Sequence, residues 1–381
     1  MQHSRILFVS TYPPTQCGIA TFTRSLLLAL AQARGSAAGL GVARIRGRDD
    51  DSISLDPEVV VEVTAESRSW PLEVARAETS FDVIWIQHEF GIFGRDSGRR
   101  ILDLCEASDR PLIATLHTVL LEPTRTEKEI VERLAWRCDR LVLMSQAARE
   151  RLLSTHDVDP AKVTVIQHGA HEYRRIGMRN REARPVIATW GLLGPGKGLE
   201  WGIRAMAHLR HLRPLPRYHI QGATHPNVLS SEGEAYRDHL ARLASKLGVT
   251  DMVTMSSDYL SPVQLARLME DIDVVLLPYD SRIQVTSGVL VEALAAGLPV
   301  VATAFPHAIE LLSEGAGRVV PHENPRAMAA ALENLLTRPR AMRAAAMAAR
   351  RIAPSLRWSS VARACELTAN QAVANSRAGV A

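Results

Sequence analysis

The chain has 381 residues, 46% hydrophobic and 23% charged, with a net charge of +4. That is the composition of an ordinary globular protein of two or three domains; it excludes a disordered or fibrous chain, and the small basic excess allows an anionic partner. No run reaches the roughly 18 uncharged apolar residues of a membrane span, and Ile6-Leu7-Phe8-Val9 is too short for a signal peptide. Cys17, Cys105, Cys138 and Cys365 form no metal or redox spacing and fit a reducing compartment, so a cytoplasmic protein is expected.

Short β-rich apolar runs alternate with helical periodicity. In the first half, strands are predicted over Arg5–Ser10, Val42–Arg46, Val59–Val63, Val83–Gln87, Leu112–Leu116, Leu141–Met144 and Val163–Gln167. Helices are predicted over Ile19–Ala33, Arg125–Arg137 and Gln146–Leu153. Apolar runs without alternation indicate strands buried on both faces of a parallel sheet. His171 to Pro185, with five arginines and two glutamates, breaks the pattern and reads as a linker. The rhythm restarts with strands Val186–Trp190, Tyr218–Gln221, Val274–Leu277 and Val300–Thr303. Between them fall helices Leu199–Leu212, Glu234–Lys246 and Val289–Ala296, and two Ala/Arg-rich helices come after. A last helix, from Trp358 to about Ala374, has room to fold back on the first half. Two βαβα blocks predict two doubly wound domains with ligands at the carboxyl ends of their strands.

Three segments carry chemistry. Thr11-Tyr12-Pro13-Pro14-Thr15-Gln16-Cys17-Gly18 links a strand to a helix start whose unpaired amides suit a phosphate or sugar hydroxyls. Gly18 there admits close approach to the backbone. A plain βα turn would read the same. Gly191 to Gly198 nearly matches a Walker A loop, with Gly191, Gly196 and Lys197 in place, but Gly198 stands where a Ser/Thr would hold magnesium. What remains is a diphosphate cradle of backbone amides and one lysine that needs no metal, or else a glycine-rich turn with an exposed lysine.

In the third segment, Pro278 to Val301, Thr286 or Ser287 caps a helix that ends at Gly297. Glu292 stands in that apolar helix, where a charge is costly unless paired. It can accept two hydrogen bonds from vicinal ribose hydroxyls, or serve the helix dipole or a neighbouring arginine. Asp49-Asp50-Asp51 reads as a solvated loop and Asp271-Ile272-Asp273 as a helix end and strand start. No metal is expected at either.

In this order and at these distances the segments resemble the GT4 retaining glycosyltransferases, over nearly the whole chain. Val274 to Val301, similar to the family's E-x7-E segment, is the most specific part. The resemblance implies an α/β, GT-B fold: two Rossmann-like doubly wound domains facing a central cleft. Residues 1–170 would be the acceptor side, 171–185 the linker, 186–355 the donor domain and 356–381 a helix returning to the first domain. It implies Glu292 on the donor ribose, Lys197 on the diphosphate and Gly18 near the transferred sugar. His117, in Thr115-Leu116-His117-Thr118, resembles the active-site histidine. His88 and Glu89, at another strand end, are expected to face the acceptor.

Two departures stand out. The first glutamate of E-x7-E falls on Gln284, and the family's usual arginine falls on Leu192. The lost cation is worth roughly 1–3 kcal/mol in a charge-assisted hydrogen bond. Arg282 either replaces it from the loop before the helix or is solvated. The implied activity is transfer of a sugar from a nucleoside diphosphate sugar to an acceptor hydroxyl, retaining and metal-independent. The donor is a substrate, and no cofactor is expected. His117, Lys197 and Gln284 would serve catalysis. Gly18, Gly196, Lys197, Arg282, Ser287, Gly288 and Glu292 would bind the donor. The acceptor would be a glycan, a lipid-linked molecule or a small molecule, not a nucleic acid, and the linker arginines meet either an anionic inner-membrane surface or solvent. A sugar-nucleotide epimerase and a non-catalytic sugar-nucleotide-binding subunit are the rival readings.

Overall fold

A computed structural model describes residues 3–48, 50–173, 184–281 and 286–379. The chain divides into one unit of Met1–Gly169 with Trp358–Ala381 and a second of Ala170–Arg357. The first holds a seven-stranded parallel sheet: β1 (Ile6–Ser10), β2 (Leu40–Arg46), β3 (Val59–Thr64), β4 (Val83–His88), β5 (Leu112–Leu116), β6 (Arg140–Leu143) and β7 (Val163–Val165). Their order is β3-β2-β1-β4-β5-β6-β7. Every residue of β1, β4 and β5 is buried, as strands covered on both faces must be. Ile6 stands beside Leu40 of β2 on one side and Val83 of β4 on the other.

The second unit holds β8 (Val186–Trp190), β9 (Arg217–Gln221), β10 (Val253–Ser256), β11 (Val274–Leu277), β12 (Val300–Thr303) and β13 (Gly317–Val320). These are parallel, in the order β10-β9-β8-β11-β12-β13. Chain direction across the sheet reverses between β1 and β4 in the first unit and between β8 and β11 in the second. A reversal of this kind opens a crevice at the strands' carboxyl ends, the usual ligand position in open α/β sheets. Thr11–Gly18 comes after β1, Glu89 after β4, Gly191–Gly198 after β8 and Pro278 after β11.

The helix Trp358–Gly379 packs on the helix Gly18–Arg34. Val361, Ala362, Cys365, Ala369 and Ala372 share one core with Phe22, Leu26, Leu27 and Leu30. Arg34 Nε donates to Glu366 Oε2 at 2.7 Å, and the Ser4 hydroxyl donates to Asn370 Oδ1 at 2.7 Å. Trp358 lies so close over Gly169 that a Cβ there would sit 2.2 Å from Trp358 Cε3.

Several boundaries differ from the sequence reading. The linker expected over 171–185 is not a separate piece at its described ends: Ala170 N–H donates to Leu356 O at 2.7 Å, so the second unit runs from 170 to 357 rather than 186 to 355. Residues 174–183 lie outside the described residues. Asp50 is no solvated loop residue: it accepts from Thr15 Oγ1 at 2.6 Å and from Arg44 Nη2 at 3.0 Å. Arg44, fully buried, also donates to Glu62 Oε2 at 2.6 Å and to Tyr12 O at 3.0 Å, so this cation ties the Tyr12–Thr15 loop to β2. Asp273 Oδ2 accepts from Val186 N at 2.8 Å and joins the starts of β8 and β11. No described helix is long and apolar enough to cross a membrane.

Candidate active site

In the second unit the turn after β8 is shaped by glycines, of which Gly198 is the one that backbone contacts close to any side chain. Gly198 has φ 58°, and a Cβ there would fall 2.1 Å from Pro278 O. The position that spoils the Walker A match is thus closed to serine and threonine by the backbone leaving β11, because a left-handed φ and a direct collision coincide. Gly196, at φ 90°, accepts on its carbonyl from Asp280 N at 3.3 Å and Ser281 N at 3.2 Å, joining the two loops. Lys197 points its Nζ at the face of Tyr279, 4.6 Å from the ring centroid. Among the described residues no carboxylate pairs with this lysine. A cation held over an aromatic face and otherwise unneutralised is ready for an anion. Burial, helped by the nearby Lys197, depresses the His225 imidazole below its ordinary value.

Tyr279 is itself fixed. It stacks on Phe305 with centroids 5.1 Å apart, its carbonyl accepts from Thr303 Oγ1 at 2.6 Å, and its hydroxyl lies 3.3 Å from Ser287 Oγ. Ser287 caps the helix Gly288–Ala295 by accepting from Leu290 N at 3.3 Å. Its own N–H donates to His307 Nδ1 at 3.2 Å. The Ser287 amide is therefore occupied, and the helix start offers the first-turn amides of Gly288 and Val289, which have no intrahelical acceptor.

Glu292 lies on the fifth position of that helix. Among the described residues no arginine pairs with it; the Trp190 indole Nε1–H, at the end of β8, donates to Glu292 Oε2 at 2.8 Å. Burial raises this carboxyl to about 7, and the indole bond only partly offsets the rise. Tyr173 is the titratable neighbour, its own hydroxyl pushed well above its ordinary value chiefly by burial and secondarily by Glu292. A half-buried carboxylate with a single donor among the described residues has lone pairs to fill, and the cost of leaving them so is high in an apolar setting.

In the first unit, Cys17 Sγ caps the helix Gly18–Arg34 by accepting from Ala20 N at 3.3 Å, and the space beyond Gly18 is open, with no heavy atom within 4 Å of a Cβ built there. His117 Nε2 bonds Gln87 Oε1 at 2.8 Å, which assigns the ring proton to Nε2 and leaves Nδ1 as an acceptor. Phe22 meets both His117 and His168 edge-on, at 5.0 Å each. Burial above all depresses His117 to about 3, with His168 and His88 adding to the shift, so the ring is neutral at physiological pH. Glu89 accepts from Phe90 N at 3.0 Å and from the Thr118 hydroxyl. Burial raises its carboxyl above the ordinary value, against those two bonds.

His88 differs from the expectation of an acceptor-facing ring. It is fully buried between Phe90 and Phe93, and among the described residues its ring nitrogens have no hydrogen-bond partner. The side chain obeys the strand's alternation: Gln87 and Glu89 share one side, and His88 takes the other.

Gly196, Lys197, Ser287, Gly288 and Glu292 thus gather at the β8/β11 end of the second sheet, and Gly18, Glu89 and His117 at the corresponding end of the first. Gln284 and Arg282 lie outside the described residues. Sequence reasoning missed Trp190, Tyr279, His307 and Thr118, and placed Gln87 on the acceptor side rather than on His117. Trp190 closes β8 and Gln87 is the last residue but one of β4, the one available signal, but their partners are remote in sequence.

Two family models match the units in turn: Glycosyltransferase Family 4 over residues 18–173 and Glycosyl transferases group 1 over residues 175–352. The chain belongs to the GT4 glycosyltransferases and has the GT-B fold. It is similar to the D-inositol 3-phosphate glycosyltransferase of Mycobacterium marinum, 27% identical over 293 residues, 69% of this chain and 57% of that protein. The chain therefore matches little more than half of that relative's length. Among solved structures, the sucrose-phosphate synthase of Thermosynechococcus elongatus aligns with a TM-score of 0.78 at 17% identity, covering 97% of this chain and 100% of that one. Anabaena HepE in complex with UDP and glucose aligns with a TM-score of 0.74 at 18% identity, covering 97% and 100%. At these identities the two structures show the shared fold.

Proposed function

We propose that the protein transfers a glycosyl unit from a nucleoside diphosphate sugar to an acceptor hydroxyl, with retention and without a metal ion. The observation that carries this reading is Glu292, a half-buried carboxylate on an apolar helix whose one hydrogen-bond donor among the described residues is the Trp190 indole. A ribose diol supplies hydroxyl donors for its remaining lone pairs. The lysine over Tyr279 and the glycine turn beside it supply a cradle for the diphosphate. The structure of HepE with UDP and glucose supports a UDP-sugar donor, and the inositol phosphate named for the Mycobacterium relative supports a polyol acceptor.

In the reaction the bond between the anomeric carbon and the diphosphate oxygen breaks, and the acceptor oxygen bonds that carbon on the same face. The acceptor proton passes to the departing phosphate oxygen. Lys197 and the Gly288 and Val289 amides neutralise the charge that grows there, as preorganised dipoles do. His117, neutral and oriented by Gln87, serves the sugar through a hydrogen bond rather than a charge, and Glu89 with Thr118 serves the acceptor. The family matches favour neither the epimerase nor the non-catalytic reading. All four cysteines are unpaired, which supports a reducing compartment.

The test is nucleoside diphosphate release from UDP-, GDP- and ADP-sugars, with and without a panel of polyol acceptors, in excess EDTA. Acceptor-stimulated release with an α-linked product from an α-linked donor is expected. Release that needs added magnesium or manganese contradicts the metal-free mechanism, and donor turnover indifferent to every acceptor contradicts transfer.

A further inference from the structure

The partner of Glu292 is a buried tryptophan. Trp190 is 5% exposed and packs in the core of the second unit with Val275, Leu277 and Leu294. A phenylalanine would occupy most of that space without an N–H to satisfy. The indole proton meets a carboxylate, 102 residues later in the chain, at 2.8 Å. Indole can only donate, so Oε2 acts as an acceptor in this bond, and the bond favours the ionised form of Glu292.

The bond also fixes geometry. The last torsion of a glutamate is broad and roughly two-fold, so an unheld carboxylate samples many planes. Pinning Oε2 sets the plane and leaves the remaining lone pairs in one direction. Two hydroxyls on adjacent ring carbons can use them together, whereas a single hydroxyl uses half.

We infer that Trp190 is a positioning residue that holds the Glu292 carboxylate in the one orientation that receives both hydroxyls of a ribose. The pair thereby discriminates ribonucleoside from 2′-deoxyribonucleoside diphosphates. This inference rests on the reading of the second unit as a nucleotide-sugar site.

Calorimetric titration at about pH 8, where Glu292 is ionised, tests it. The ligand is whichever of UDP, GDP and ADP binds most tightly, paired with its 2′-deoxy form. Wild type should bind the ribonucleotide about 10- to 100-fold more tightly, the worth of a hydrogen bond to a charged group. In Trp190→Phe this ratio should fall to a few-fold while the deoxy form keeps its affinity to within about twofold. On a Glu292→Gln background, Trp190→Phe should cause no further loss of the ratio, because the group it positions has lost its charge. A Trp190→Phe protein that melts like wild type and retains the wild-type ratio overturns the inference and reduces Trp190 to packing. If Trp190→Phe fails to fold, Glu292→Gln decides alone: a ratio equal to wild type overturns it. Failure of wild type to bind any of the three nucleotides overturns the nucleotide-site reading itself and the inference with it.

Discussion

Replacing Gly198 with serine would complete a Walker A pattern by letter, but the backbone around this position has no room for a side chain. The residue sits at φ 58°, a conformation that costs an L-residue about 1–2 kcal/mol. Its new Cβ would lie 2.1 Å from Pro278 O, 3.0 Å from Pro278 C and 3.2 Å from Asp280 N. These are backbone atoms, so no rotamer change relieves them, and the β11 exit must move by about an ångström. Forced overpacking of this kind costs about 1–3 kcal/mol, which with the strain gives about 2–5 kcal/mol. For a unit of this size each kcal/mol lowers the melting temperature by about 2–4 °C, so a fall of about 4–20 °C is expected. Differential scanning calorimetry reads it directly, with Gly196→Ala as a comparison. That residue has φ 90° but its nearest contact would be Ser281 Cβ at 3.4 Å, so strain alone acts and the fall should be about half as large. Calorimetry in magnesium should show no added stabilisation of Gly198→Ser. Wild-type melting of this variant, or a magnesium-dependent gain, would refute the steric reasoning and reopen a P-loop reading.

The same geometry sets three further outcomes. Gly18→Val should leave the fold within about 1 kcal/mol, since a helix start tolerates it and nothing lies within 4 Å of its Cβ, yet lower turnover at least about tenfold; equal turnover in the transfer assay would show that no ligand passes there. Arg44→Met strands Asp50 and Glu62 beside a buried site and should cost about 3–5 kcal/mol in urea unfolding, whereas a loss under about 1 kcal/mol would mean the network contributes little. Glu292, at about 7 in the folded unit against an ordinary 4.5, favours its protonated form when folded, so its own contribution to ligand-free stability is fully present below pH 4.5 and is lost as pH rises through about 7. Nucleoside diphosphate affinity should run the other way, rising between about pH 6 and 8, and Glu292→Gln should flatten both profiles; an unchanged pH profile in that variant contradicts the assignment.

The sequence reveals the central strands nearly to the residue, because β1, β4, β5, β8 and β11 are continuous apolar runs buried on both faces. It hides β10 and β13, which are the two edges of the second sheet. Their burial is incomplete, with Thr254, Arg318 and Val319 exposed, so neither an apolar run nor clean alternation marks them. Of the site, Lys197, Ser287 and Glu292 are legible from local signals: a glycine turn, a helix cap and a charge in an apolar helix. What holds them is not. The contacts of Trp190 with Glu292, His307 with Ser287 and Gln87 with His117 join strand or helix ends that only the sheet order brings together. The necessity of Gly198 depends likewise on the path of Pro278, which no local pattern announces.

The claim on which everything else depends is that the second unit binds a nucleoside diphosphate through Glu292 and Lys197. Calorimetric titration of wild type, Glu292→Ala and Lys197→Ala with UDP, GDP and ADP measures it without needing the acceptor. One of the three should bind wild type with a dissociation constant in the micromolar range, and each variant should weaken it at least about tenfold, the loss of one charge-assisted contact. Both variants should melt within a few degrees of wild type, since each side chain serves the ligand. Wild-type affinity in both variants would contradict the account at its centre.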